Sequence, residues 1–301
     1  MMAWPNLAVL GAGNMGGALV ARLREHGVSV AVCDPDAQRQ AEALAVGAQV
    51  LPTPLAAVQG LGLGGVVLIV VVNDAQCEDV LWGEQGAAAA LQAGQTVVLC
   101  PTMAPEAVES IAERLVAMGV ACVDAPMSGG PLRARAGTMS WMLAGPKAAL
   151  ARHPELWRLL ANPVFHVSER CGDGSRTKLV NNLLAGINLV GTAEALALAE
   201  RMGLNLNTTL DVIERSSGQS WIGSDRMRRA LAGNFAPLAH VTLLEKDTGL
   251  AMAAAQRVGF EGPLGAGATA VFAQTRQAGW AEHDDGAVFA HLRGEAPPSK
   301  P

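Results

Sequence analysis

Leu7-Ala-Val-Leu-Gly11-Ala-Gly13-Asn-Met-Gly16 decides the fold. Four residues of strand type run into a GxGxxG signature, and Met15–His26 continues as a helix. Each glycine has its own mechanical role. Gly11 permits a tight turn, Gly13 lets backbone approach a pyrophosphate, and Gly16 allows close helix–strand packing. The helix N-terminus then offers unpaired N–H groups and a positive dipole end to the phosphates. A lone GxGxxG is a weak signal, but here a second strand, Ser29–Cys33, ends at Asp34. An acidic side chain there can accept from the adenosine ribose hydroxyls. The same carboxylate repels a 2′-phosphate, and no Lys or Arg follows until Arg39, so NAD is expected in preference to NADP.

Further along, Val66–Val72, Thr96–Leu99 and Ala121–Val123 are apolar runs of strand length separated by Ala-rich helical stretches. Such runs imply a doubly wound parallel sheet with helices on both faces, a Rossmann-like α/β domain. A further strand pair is expected around Thr138–Ala144 and Val164–Val167. After Gly174 the texture changes. Lys178–Met202 has no proline and helical spacing of apolar residues, with Ser175 or Asp173 to cap its start and Gly203 to end it. Val180–Ala193 carries no charge, so this helix is expected to be buried nearly all round, in a domain centre or a subunit interface. Everything downstream reads as helical. The division expected is a dinucleotide-binding domain over 1–167, an all-helical domain over 168–294 and a disordered tail over 295–301, with the active site in the cleft between the two domains.

Composition narrows the function classes. The chain has 301 residues, with 22 basic against 27 acidic side chains and a net charge of −5, which leaves no electrostatic footprint for nucleic acid. Tyr is absent, so base-stacking platforms are not expected either. Five scattered cysteines (Cys33, Cys77, Cys100, Cys122, Cys171) read as reduced thiols, and no His or Cys pair has metal-ligand spacing, so no metal site is expected. No signal-peptide pattern opens the chain, and its longest uninterrupted apolar run, Val66–Val72, is far below a bilayer span. A cytoplasmic protein with no membrane partner is expected.

Three segments carry candidate chemistry. Asp124-Ala-Pro-Met-Ser128-Gly129-Gly130 puts a hydroxyl and glycine amides after a strand, either an ordinary turn or a cradle for a carboxylate. Lys178 and Asn182 are i and i+4 at the opening of the long helix, hence on one face. A lysine there opposes the helix dipole, which disfavours its charged form and suits a general acid/base; the plainer reading is a solvated surface lysine. Lys246-Asp247 lies in a helical stretch and alone reads as a solvated pair.

Together with the nucleotide loop, these segments in this order resemble the β-hydroxyacid dehydrogenase family, which includes 3-hydroxyisobutyrate dehydrogenases, tartronate semialdehyde reductases and L-threonate dehydrogenases. The resemblance runs from Leu7 to about Gly294. Ser220-Trp221, Asp225-Arg226-Met227 and His283-Asp284-Asp285 are similar to the L-threonate branch, while Ser216–Trp221 is also similar to the 3-hydroxyisobutyrate branch. The resemblance implies hydride transfer between NAD and a small 3-hydroxy acid. It places Gly11, Gly13, Asn14, Met15, Gly16, Asp34 and Thr102 at the cofactor. Pro101 stands where the family has a serine before that threonine. Ser128, Gly129 and Gly130 match the substrate-carboxylate segment, Lys178 the catalytic lysine, and Asn182 the substrate-orienting asparagine. Lys246 matches a lysine closing over nicotinamide and substrate. Arg133 and Arg135 replace small residues and either add a polar contact for the substrate or are solvated, the latter being expected. Two rivals stand beside this reading: an imine reductase-like enzyme, which would not keep Lys178, and a non-catalytic dinucleotide sensor, which would need neither Ser128, Lys178 nor Asn182. A homodimer or homotetramer is expected, with Gly186 and Gly191 admitting the close approach of another helix.

Overall fold

The computed structural model describes residues 4–298, so the expected tail is described only over 295–298, without helix or strand, and 299–301 lie outside. The chain forms two compact units, one up to Lys178 and one from Leu179 onward.

The first unit is built on nine strands: β1 (Leu7–Leu10), β2 (Val30–Cys33), β3 (Gln49–Val50), β4 (Val66–Ile69), β5 (Thr96–Leu99), β6 (Ala121–Asp124), β7 (Met127–Ser128), β8 (Ser140–Ala144) and β9 (Val164–Ser168). They lie in the order β3-β2-β1-β4-β5-β6-β8-β7, with β9 on β8. The first six run parallel, with Leu7 level with Val30 and with Val66. Beyond β6 the sheet is mixed: β8 runs antiparallel to β6 and β7, and β9 runs parallel to β8. Strands β1, β4 and β5 are buried on both faces, which is why they read as continuous apolar runs. Val9, Leu68 and Val98 pack on one face with Leu19 and Leu23 of the helix Asn14–Glu25. Leu10, Ile69 and Leu99 pack on the other with Ile111 and Leu115 of the helix Pro105–Ala117. Each such fully buried side chain is worth about 1.5–3 kcal/mol.

The long helix spans Asp173–Arg201, and the two units divide within it. Its expected burial all round is not found: Val180 is 71% exposed and Leu184 58%. An uncharged stretch shows only that no face repels apolar surroundings, not that every face has them. By length and composition this helix could cross a membrane. Its Leu189, Val190, Ala193 and Leu196 belong instead to the core of the second unit. That unit is helical, with Leu206–Glu214, Trp221–Leu231, Val241–Arg257, Pro263–Thr275 and Val288–Arg293. Gly186 lets the helix Val241–Arg257 approach closely, since a Cβ there would stand 2.7 Å from Thr248 Cγ2.

Candidate active site

The nucleotide loop fits a dinucleotide on its own geometry. Gly11 has φ +95°, and a Cβ there would fall 2.5 Å from the Val70 carbonyl oxygen. A Cβ on Gly16 would fall 2.0 Å from the Gly11 carbonyl oxygen, so the helix can seat against the turn only as glycine. Gly13 is different: nothing of the protein lies within 4 Å of its missing Cβ, so space is kept there for a ligand. Gly13 also caps the helix Asn14–Glu25 without any side-chain hydrogen bond, leaving first-turn N–H groups to an anion. Asp34 braces the loop, with Oδ2 accepting from Ala12 N at 2.6 Å and Oδ1 from Asp36 N at 2.9 Å. Arg39 reaches back to donate to Asn14 Oδ1 at 2.9 Å. Thr102 lies in the loop beyond β5, preceded by the buried Cys100 and Pro101.

Ser128 is held in β7 opposite Ser140, and Gly129 and Gly130 follow at φ +130° and +74°. Those left-handed values are reachable by glycine at little cost and turn the chain into the helix Gly130–Ala136. Trp141 fixes the preceding segment by donating its indole N–H to the Ala125 carbonyl at 2.6 Å. Arg133 and Arg135 are not freely solvated as expected. Arg133 donates to the Thr138 carbonyl and would lie 3.1 Å from a Cβ on Gly129, while Arg135 pairs with Glu25. Arg133 thus folds back onto neighbouring backbone, while Arg135 meets an opposite charge through Nη2 and keeps its buried Nη1 without a hydrogen bond.

Lys178 is only 6% exposed, which removes the solvated-surface reading. The start of its helix is not capped by Ser175 or Asp173 as acceptors. Asp124, at the end of β6 and wholly buried, accepts from Gly172 N at 2.9 Å and from Ser175 N at 2.8 Å. Ser175 instead donates its hydroxyl to Asp124 Oδ1 at 2.9 Å. Burial pushes the Asp124 carboxyl up to about 6, against the opposing pull of these hydrogen bonds.

Asn182, one turn beyond Lys178, is also buried and its amide orientation is fixed from both ends. Its Oδ1 accepts from Asn181 Nδ2 at 3.0 Å, and its Nδ2 donates to Asp247 Oδ2 at 2.5 Å. The second Nδ2 hydrogen stays available. Asp247 is buried, and its Oδ1 lies 2.9 Å from Lys246 Nζ, an ion pair that is not aligned as a hydrogen bond. Sequence reasoning singled out Lys246 and passed over Asp247; the signal was a carboxylate on the apolar face of a helix that buries Leu244, Thr248 and Ala251.

Comparison with known proteins agrees with this geometry. The family model described as the NAD binding domain of 6-phosphogluconate dehydrogenase matches residues 6–168. A second, described as the NAD-binding part of NADP-dependent 3-hydroxyisobutyrate dehydrogenase, matches residues 172–292. The chain is 37% identical to an L-threonate dehydrogenase of Cupriavidus necator over 98% of both chains. It is 36% identical to a 3-hydroxyisobutyrate dehydrogenase of Pseudomonas aeruginosa over 93% of this chain and 94% of that one. The solved structure of a 3-hydroxyisobutyrate dehydrogenase from Salmonella typhimurium superposes with a TM-score of 0.86 at 31% identity, covering 95% of this chain and 99% of the other. With a glycine loop shaped for a dinucleotide and a buried lysine and asparagine one turn apart, the chain belongs to the β-hydroxyacid dehydrogenase family and is an NAD(P)-dependent hydroxyacid oxidoreductase.

Proposed function

We propose that the enzyme interconverts a small 3-hydroxy acid and its oxo acid, with Lys178 as the proton carrier. The observation that carries this is a buried Lys178 followed one turn later by a buried Asn182 whose amide is fixed by Asp247 and Asn181. NAD, when bound, supplies the hydride acceptor at its nicotinamide ring. Gly11, Gly13, Asn14, Met15 and Gly16 hold its phosphates, Asp34 takes the ribose, and Thr102 and Lys246 serve the nicotinamide end. Ser128 Oγ and the Gly129 and Gly130 amides take the substrate carboxylate, which aims the reacting carbon. Asn182 donates its remaining amide hydrogen to the substrate hydroxyl oxygen. In oxidation, neutral Lys178 accepts the hydroxyl proton at Nζ; in reduction it returns that proton to the developing alkoxide.

L-threonate and 3-hydroxyisobutyrate, named in the relatives, both carry a carboxylate and a hydroxyl on the third carbon, and fit this assignment. A panel of three- and four-carbon 3-hydroxy acids with NAD and NADP, followed by reduced-nicotinamide absorbance, tests it. Turnover of an acid in the panel is expected; NAD binding without turnover of any of them favours the sensor reading. The assembly proposed is a homodimer, in a reducing cytoplasm that suits five free cysteines. Its motive is the open face of the long helix, where Val180, Leu184, Gly191 and Leu198 are exposed together.

A further inference from the structure

Asp124 is a carboxylate with no access to water, and its partners all belong to one feature, the start of the long helix. Contact is tight there: a Cβ on Gly174 would stand 3.0 Å from both the Asp124 carbonyl oxygen and Oδ2. Gly172 takes φ +98° to bring its N–H to the carboxylate. Two N–H groups and one hydroxyl on two fixed oxygens set where the helix begins and how it is rotated about its axis. Lys178 follows Ser175 by three residues, so its direction is set by that rotation. The same carboxylate stands four residues before Ser128 on the other strand end of the site.

We propose that Asp124 is a positioning residue of the dehydrogenase reaction, its carboxylate anchoring the first turn of the long helix so that Lys178 meets the substrate oxygen. This rests on the assignment of Lys178 as proton carrier. A negative charge at a helix N-terminus also offsets the dipole that a lysine in the opening turns has to face. Protonation, which burial favours, turns one acceptor oxygen into a donor and removes that charge, so the direction given to Lys178 changes in acid even as the fold holds the proton.

Other ionisable groups around Asp124 do not supply the same titration. Cys100, beyond β5, is pushed up by burial, out of the working range. Cys122 on β6 is raised by its hydrogen bond with Cys171 and by burial, and the same bond holds Cys171 below the usual thiol value. Arg176 pairs with Asp173 and Glu109 at 2.9 Å each on the outer side of the turn.

Reduction is the informative direction, because Lys178 then works as an acid and its own titration favours turnover as pH falls. A loss of kcat on acidification through about pH 6 that Asp124→Asn abolishes therefore reports Asp124 and not Asp285, whose buried carboxyl is pushed up to about 7. The test is the kcat profile for reduction, between about pH 5 and 8, of wild type and Asp124→Asn. The probe is the oxo form of whichever acid in the panel is turned over, with saturating NADH. Wild type is expected to lose activity in acid; Asp124→Asn is expected to keep its KM for NADH, to have a kcat lower by about tenfold near neutrality, and to show no acid limb. Retention of the wild-type kcat or of the wild-type limb in Asp124→Asn overturns the proposal. Ser175→Ala keeps the experiment decisive if Asp124→Asn does not fold: losing a hydrogen bond to the ionised form moves the limb to higher pH, and an unmoved limb overturns the proposal. Failure of the Lys178 assignment is separately visible, as full turnover by Lys178→Ala.

Discussion

Asn182 gives one of its amide hydrogens to the buried Asp247 carboxylate, 2.5 Å away and 65 residues on in the chain. That bond decides which way the Asn182 amide faces, and leaves one hydrogen to donate elsewhere. Hydrogen bonds to charged groups contribute about 1.5–3 kcal/mol, which is roughly ten- to a hundredfold in rate if the bond serves the transition state. Asp247→Ala is therefore expected to lower kcat/KM by about that factor while NAD affinity is kept. Steady-state kinetics beside a thermal melt check it; unchanged kcat/KM in a folded variant removes Asp247 from the site.

Lys178→Ala is expected to bind NAD almost as wild type does and to lose most turnover. General acid–base groups contribute about 10²–10⁴-fold. NAD titration by fluorescence and single-turnover kinetics measure the two properties separately. A variant with more than about a tenth of wild-type kcat, where chemistry limits the rate, would show that another group carries the proton.

The parts of this site made from neighbours in sequence were legible, and the parts made across the fold were not. The glycine spacing encodes its own geometry, because Gly11 and Gly16 meet each other within six residues. Asp34 directly follows strand β2, only 18 residues after Gly16, so one βαβ unit brings them together. Lys178 and Asn182 share a helix face by periodicity alone, although their roles came from the family resemblance. The Asp124 anchor is invisible to capping rules, which consider only local side chains such as Ser175 and Asp173, whereas Asp124 lies 51 residues from Ser175. Asp247 falls at helical spacing with Leu244, Thr248 and Ala251, which marks the buried face, but that pattern does not say which partner a carboxylate there will find. Strands β3 and β7, two residues each, are too short to leave a pattern.

Cofactor choice can be moved at Pro35 more cleanly than at Asp36. Asp36 caps the helix Ala37–Ala45 through Gln38 N and Arg39 N, and losing such a cap costs about 1 kcal/mol. Pro35 is exposed and free of that duty. Wild type is expected to prefer NAD, and Asp34→Ser combined with Pro35→Arg to raise the NADP-to-NAD ratio of kcat/KM by about ten- to a hundredfold. Absolute activity should fall, because Asp34 also holds Ala12 N of the glycine loop. A wild-type enzyme already faster with NADP at equal concentration contradicts the assignment.

Burial of Asp124 also makes stability depend on pH, with no substrate present. Its carboxyl titrates at about 6 in the fold against 3.8 ordinarily, so the folded chain holds the proton more tightly than the unfolded one. The gap is worth roughly 3 kcal/mol, fully present below pH 3.8 and lost as pH rises through about 6. Asp124→Asn has no such titration. The stability of wild type relative to Asp124→Asn, from denaturant melts, is therefore expected to increase as pH is lowered from neutrality toward about 4. A difference that stays flat or shrinks would mean that the carboxylate is not held in a desolvated site.

One face of the long helix is exposed, and the proposed homodimer would cover it. Val180, Leu184, Gly191 and Leu198 fall within a narrow arc at 100° per residue, and all four are exposed. Gly186, by contrast, is taken up inside the second unit against Thr248, while Gly191 has nothing within 4 Å of its missing Cβ. A glycine among exposed aliphatics admits a second helix at short range, and a stripe that is its own best complement suits two copies about a two-fold axis. Leaving Val180, at 71% exposure, and Leu184, at 58%, to water forfeits about 1 kcal/mol or more each that pairing would recover. Light scattering at micromolar concentration is expected to give twice 31.0 kDa for wild type. Leu184→Glu with Leu198→Glu places two buried carboxylates from each copy in such an interface, and is expected to give a folded species near 31.0 kDa. An active wild-type monomer of that mass would end the proposal, and would leave the helix with an apolar face that packs against nothing.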